Sequence, residues 1–127
     1  MQISQGSGSS HAKLGHGKRF GITRTPKRVE SSLSGVSIKQ VACGEENTMC
    51  VTEQGELYAF GTNLYGCLGL GVDYKADSED VFDGTSAYIP VRVPLFARSG
   101  LRVKSVACGD SHVICLTDTN RIFTWGC

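Results

Sequence analysis

Apolar residues along this chain fall in short runs separated by polar, glycine-bearing turns. The segment Val36 to Cys43 runs into Gly44-Glu45-Glu46; Thr48 to Thr52 follows, then Glu53-Gln54-Gly55, then Glu56 to Phe60. Runs of this length bounded by turn residues predict strands. Thr52-Glu53-Gln54-Gly55 predicts a hairpin, with Gly55 available for a left-handed backbone. The run Glu56 to Phe60 is apolar on both faces, Leu57 and Ala59 on one, Tyr58 and Phe60 on the other. That pattern predicts a sheet covered on both sides. Helical periodicity is absent, and a chain with sixteen glycines opposes helix formation.

The strand pattern repeats. Val41-Ala42-Cys43-Gly44 recurs 65 positions later as Val106-Ala107-Cys108-Gly109. At the same offset Cys50-Val51-Thr52 answers Cys115-Leu116-Thr117, and Gly55 to Gly61 answers Asn120 to Gly126. A second set flanks it: Leu14-Gly15-His16-Gly17 answers Leu68-Gly69-Leu70-Gly71 at offset 54, and Thr25 to Val29 answers Ile89 to Val93 at offset 64. The offset grows by ten, so residues 72–88 form a loop with an insertion. Successive copies of one short sheet are the signature of a repeat architecture.

Composition narrows the class. With 127 residues, 40% of them hydrophobic, the chain suits one small globular unit. No run approaches the 18 apolar residues of a membrane helix. The first twenty residues lack the apolar core of a secretory signal, so an intracellular, reducing setting (cytoplasm, nucleus or both, not secreted) is expected. Net charge is only +1, but it is unevenly placed. Residues 1–40 carry seven Lys/Arg and one acid, and residues 41–90 carry nine acids and one base. The basic segment, with Lys13, Lys18, Arg19, Arg24, Lys27 and Arg28, reads as a solvated face rather than a nucleic-acid footprint.

These residues carry a family resemblance. Gly61-Thr62-Asn63-Leu64-Tyr65-Gly66-Cys67-Leu68-Gly69-Leu70-Gly71 resembles the signature of the regulator-of-chromosome-condensation repeat. The apolar-Cys-Gly strand ends and the Phe60-Gly61 and Trp125-Gly126 ends resemble it too. The resemblance covers about residues 11–127. It implies an all-β fold: a partial β-propeller of about two antiparallel four-stranded blades, a fragment of a seven-bladed ring. Residues 1–10 depart from the repeat and read as a flexible or boundary segment, with Ser9 and Ala12 where the repeat has Asn and Gly. Lys13 to Gly17, Pro26 to Glu30, Gln54 to Gly61, Tyr65-Gly66-Cys67 and Cys108 to Val113 resemble, more narrowly, the propeller carried by NIMA-related serine/threonine kinases. No glycine-rich loop with its strand Lys, no His-Arg-Asp and no Asp-Phe-Gly accompanies it.

The implied role is a non-catalytic protein-interaction or autoregulatory module, whose partner is a kinase domain in the same polypeptide or a small GTPase. Guanine-nucleotide exchange and ubiquitin-ligase or trafficking roles are the alternatives known from the same repeats. No catalytic constellation, metal site or cofactor is expected. Cys43 and Cys108 share one slot and Cys50 and Cys115 another, which favours core packing over a metal site. His112 falls at the slot of Asn47, where a polar side chain suits a turn. Gly15, Gly17, Gly44, Gly55, Gly61, Gly66, Gly69, Gly71, Gly109 and Gly126 are expected where a Cβ is unwelcome. The acidic loop, with Asp73, Tyr74, Asp77, Glu79, Asp80 and Asp83, is the candidate partner-binding surface, since repeat folds place function in loops.

Overall fold

The computed structural model describes residues 12–18 and 21–127; the boundary segment 1–10 lies outside them. Seven strands form two antiparallel sheets. The first is β1 (Ile38–Cys43), β2 (Asn47–Thr52), β3 (Leu57–Thr62) and β4 (Ser86–Arg92), in that order; the second is β5 (Val103–Cys108), β6 (His112–Thr117) and β7 (Ile122–Gly126). The second sheet therefore holds three strands among the described residues, not the four expected.

The repeat seen in the sequence is a repeat of register. Val41 faces Cys50 across β1 and β2, and Val106 faces Cys115 across β5 and β6. Asn47 faces Gly61, and His112 faces Gly126. Both β1 and β5 carry a bulge two residues after they start, at Ile38/Gln40 and Val103/Ser105. The left-handed turn residue before β3 is Gly55 at φ 84°, and its counterpart before β7 is Asn120 at φ 65°. Asn tolerates that conformation through its short polar side chain.

The sheets pack face to face around one core. Every residue of β2 is buried, as expected for a strand covered on both sides. The same slots in the second sheet differ. Met49 and Leu57 are 0% exposed, whereas Ile114 and Ile122 at their equivalent positions are 39% and 64% exposed. The first sheet has the second against this face, and nothing described covers the second. Each fully buried Met, Leu or Val contributes about 1.5–3 kcal/mol relative to exposure, so the apolar contact between sheets outweighs any one polar bond across it.

Two expectations are corrected. A helix does occur, α1 (Pro94–Ser99). It is too short for periodicity to reveal. Pro94 presets φ at its first turn, and Gly100 stops it at φ 74°. Phe96 on its buried face packs edge-on against Phe123 at 5.4 Å. The 72–88 loop also ends early, because residues 86–88 are already strand, with Ala87 facing Gly61. Pro90 is tolerated in β4 because β4 is the edge strand.

Candidate functional site

Antiparallel order sorts the loops by end. The β1–β2 turn, the β5–β6 turn and the long β3–β4 connection all lie at one end of the sheets. The two turns touch: a Cβ on Gly44 would sit 3.0 Å from the Gly109 carbonyl oxygen. Each turn closes the same way, with Gly44 N–H donating to Asn47 O and Gly109 N–H to His112 O, both at 2.8 Å. A shallow groove between them is lined by Glu45, Glu46, Asn47, Cys67, Asp110 and Ser111. Asn47 is buried, and its Nδ2 donates to Cys108 Sγ at 4.0 Å across the sheets. Its side chain thus reaches the neighbouring sheet through Nδ2 while Oδ1 lies against Gly44 of its own turn.

The acidic loop divides in two. Asp73, Asp77, Glu79 and Asp80 are exposed. Tyr74 is half-buried, its ring edge against Phe82 at 5.3 Å; burial, and then the charge of Asp77, push its hydroxyl pKa up. Asp83 has a different job. Its Oδ1 accepts from Thr85 N–H (2.9 Å), Thr85 Oγ1 (2.7 Å) and Ser86 N–H (3.0 Å), and its Oδ2 accepts from the Tyr88 hydroxyl at 2.5 Å. Burial raises the Asp83 pKa, but these four bonds outweigh it and hold the carboxyl at about 2. Burial, then the bond to Asp83, raise Tyr88 to about 12. Asp83 is a turn anchor for β4 and leaves the set of partner-facing acids.

Sequence reasoning missed Glu45, Glu46 and Asp110. They lie at the end from which the loop bearing Asp73, Asp77, Glu79 and Asp80 springs, where Asp80 lines a cavity with His16, Lys18 and Ile89, and among the described residues none of the seven is in a salt bridge. The signal was available: both turns occupy one repeat slot, so they share an end.

The glycines fall into groups. A Cβ on Gly69 (φ 71°) would stand 2.9 Å from Trp125 Nε1, and one on Gly15 (φ 72°) 2.7 Å from the Phe60 ring. Trp125 Nε1 donates to Cys67 O at 2.9 Å, so each Leu-Gly-x-Gly turn seats on the aromatic residue ending the third strand of a sheet. Gly61 and Gly126 (φ 113° and 107°) lie against the backbone of Glu46-Asn47 and Ser111-His112. A Cβ on Gly55 (φ 84°) would stand 2.6 Å from Arg102 Cβ. Gly66 and Gly71 have positive φ with open space beyond, and Gly17 (φ 108°) donates its N–H to Tyr88 O at 2.9 Å.

All six cysteines are free thiols. Cys50, Cys67 and Cys115 are buried as expected, but Cys43 is exposed and Cys108 only partly covered. Cys43 departs from the core-packing expectation because it lies on the face of β1 that no described sheet covers. Burial raises Cys50, Cys108 and Cys115 to about 11. No described helix is long and apolar enough to cross a membrane.

The pattern of the regulator of chromosome condensation (RCC1) repeat matches residues 6–51 and 54–116, and a second form of it matches 38–67. The chain belongs to the regulator of chromosome condensation repeat family. Mouse serine/threonine-protein kinase Nek9 is 40% identical over 97% of the chain, which spans 11% of that kinase. The ultraviolet-B receptor UVR8 of Arabidopsis thaliana is 32% identical over 99% of the chain, which spans 25% of it. Human E3 ubiquitin-protein ligase HERC2 is 40% identical over 90% of the chain, which spans 2% of it. Yeast RCC1 (Prp20), solved bound to Kap60, superposes with a TM-score of 0.71 over 86% of this chain and 24% of its own, at 22% identity. That identity speaks for the fold alone. The two sheets are consecutive blades of a partial β-propeller.

Proposed function

We propose that this chain is a protein-interaction module whose acidic blade end receives a basic protein surface. The observation that carries the reading is that Glu45, Glu46 and Asp110 lie on turns at the end from which the loop bearing Asp73, Asp77, Glu79 and Asp80 springs, with none of the seven carboxylates in a salt bridge among the described residues; Lys13 Nζ donates to the main-chain oxygen of Glu45 rather than to its carboxylate. Like charges held on a rigid scaffold focus a field that steers an oppositely charged partner. The scaffold supplies rigidity, and the loop supplies reach. The 40% identity to Nek9 supports a parent in the NIMA-related kinase group, where the propeller would engage the catalytic domain of its own polypeptide. Six free thiols suit a reducing compartment, cytoplasm or nucleus.

The test is charge reversal. Asp77, Glu79 and Asp80 are exposed, so Lys at all three leaves the blades intact. Recovery of a NIMA-related kinase catalytic domain by the parent chain is expected to fall several-fold in the variant, and to fall with added salt. Equal recovery by both chains would dispose of the acidic end as the docking surface.

A further inference from the structure

Where the two blades meet at their acidic end, two oxygens face a hollow that no side chain fills. The place where a Gly44 side chain would stand lies between Asn47 Oδ1 and the Gly109 carbonyl oxygen, the latter 3.0 Å away. Neither oxygen accepts a hydrogen bond among the described residues. Asn47 is only 2% exposed, and its Nδ2 donates to Cys108 Sγ. A nearly buried amide oxygen left without a donor is costly, so this position calls for an incoming N–H. In the second blade the slot of Asn47 holds His112, so the amide oxygen is particular to this junction.

Asn47 also lines the groove between the two turns, whose volume is about 170 Å³. That is room for one side chain and not for a strand or a helix. Glu45 and Glu46 reach the groove from the first blade and Asp110 from the second. Lys13, which donates to the main-chain oxygen of Glu45 at 3.5 Å, lines a separate cavity. The turns that carry these acids are pinned: Thr62 N–H donates to Glu46 O and Cys127 N–H to Ser111 O, both at 2.9 Å. Acceptors fixed in advance cost little ordering when a ligand arrives. Leu64, 50% exposed, and buried Cys67 complete the walls. Burial raises the Cys67 thiol pKa and the Glu46 charge adds to the rise, so that wall stays neutral.

We propose that this groove takes the guanidinium of one arginine side chain presented by a basic protein partner, shared between Asn47 Oδ1 and the carboxylates of Glu46 and Asp110, with its methylene stem against Leu64. The proposal rests on the reading of this end as a docking surface and names the chemistry that the surface selects. A metal ion does not suit it, since among the described residues no three ligating side chains are grouped to hold one. Lysine offers three N–H groups from a single point, whereas arginine spreads five across a plane. The acceptors here stand on two separate blades, which favours the wider donor. An apolar stem with a charged head fits a groove with apolar walls and an acidic mouth.

Amide NMR spectra of the 127-residue chain test the proposal, with the blocked peptide acetyl-Gly-Ser-Leu-Arg-Ser-Gly-amide as probe. The arginine peptide is expected to shift the amides of Glu45, Glu46, Asp110 and Ser111 saturably. Its lysine counterpart should bind about five-fold more weakly, and its citrulline counterpart, uncharged but of similar shape, should give no saturable shift. Asp110 is exposed, so Asp110→Asn keeps the fold and should weaken the arginine peptide about three- to ten-fold. Asn47→Leu removes the amide oxygen and should abolish the shift; a dispersed spectrum checks its folding, and Asp110→Asn carries the test alone if it unfolds. No saturable shift at these turns, equal binding of the arginine and lysine peptides, or an Asp110→Asn chain that binds like the parent overturns the proposal. The docking reading is judged separately, by recovery of the kinase catalytic domain. Recovery that depends on the loop acids, with no arginine shift, retires this site alone. An arginine shift, with recovery indifferent to the loop acids, retires the docking reading and keeps the site.

Discussion

The side-chain amide of Gln40 bridges the backbone of Val106 in the neighbouring blade: Nε2 donates to Val106 O at 2.6 Å, and Oε1 accepts from Val106 N–H at 3.0 Å. Both Val106 groups lie on the edge of β5 that no described strand pairs. One side chain on β1 thus does for β5 what a neighbouring strand would do, and it fixes how the two blades meet.

Gln40→Leu keeps the volume and removes both bonds, leaving a largely buried peptide unsatisfied. The expected loss is about 1–3 kcal/mol, read as a lower urea midpoint with an unchanged slope. Gln40→Glu keeps the acceptor and should lose less. Equal midpoints for parent and Leu variant would mean that water serves Val106 equally well.

Gly69→Ala places a methyl beside Trp125 Nε1 on a left-handed backbone, so strain and displacement of the indole from Cys67 O act together. About 1–3 kcal/mol of destabilisation is expected, with a shifted tryptophan emission, since Trp125 is the sole tryptophan. Gly71→Ala meets only open space; its cost is backbone strain alone, about 1 kcal/mol, with no spectral change. Gly44→Val, which collides with Asn47 and approaches Gly109 O, should cost on the order of 1–3 kcal/mol.

Asp83 gives the acid limb of stability a specific owner. Its folded pKa, about 2, lies below the ordinary carboxylate value of about 3.9. The folded state therefore binds that proton less readily than the unfolded chain. The stabilisation is present above about pH 4 and is lost as pH falls toward 2. Tyr88, raised to about 12, acts in the opposite sense: its contribution is complete below about pH 10 and disappears as pH climbs through 12. Asp83→Asn should lower stability at pH 6 and flatten its dependence between pH 4 and 2, as measured by urea melts across that range.

Thiol labelling under native conditions should separate the cysteines by burial. Cys43 and Cys127 are exposed and should react with iodoacetamide at pH 8. Cys50 and Cys115, buried with thiols near 11, are protonated there and should stay unlabelled. Rapid labelling of Cys50 would show that the cleft beside Val41 opens in solution.

How much of this was legible in advance depends on which forces each residue answers to. The Val-Ala-Cys-Gly blocks and the Leu-Gly-x-Gly turns announced two copies of one sheet, because backbone register and tight turns are set within tens of residues and leave the same residue types at the same slots. The helix at Pro94–Ser99 was not legible, since six residues carry too little periodicity. The inward turn of Asp83 was not legible either, because among five acids of one loop only contact with Thr85, Ser86 and Tyr88 distinguishes it.

The linear chain by itself determined strands, turns, blade count and family, all consequences of local geometry repeated at a fixed spacing. Tertiary structure alone decided which copies of a slot are buried. Met49 and Ile114 hold equivalent positions with similar side chains, and one is sealed while the other meets solvent. Burial belongs to the pair of sheets rather than to the residue, and only the packed structure shows which sheet has a neighbour.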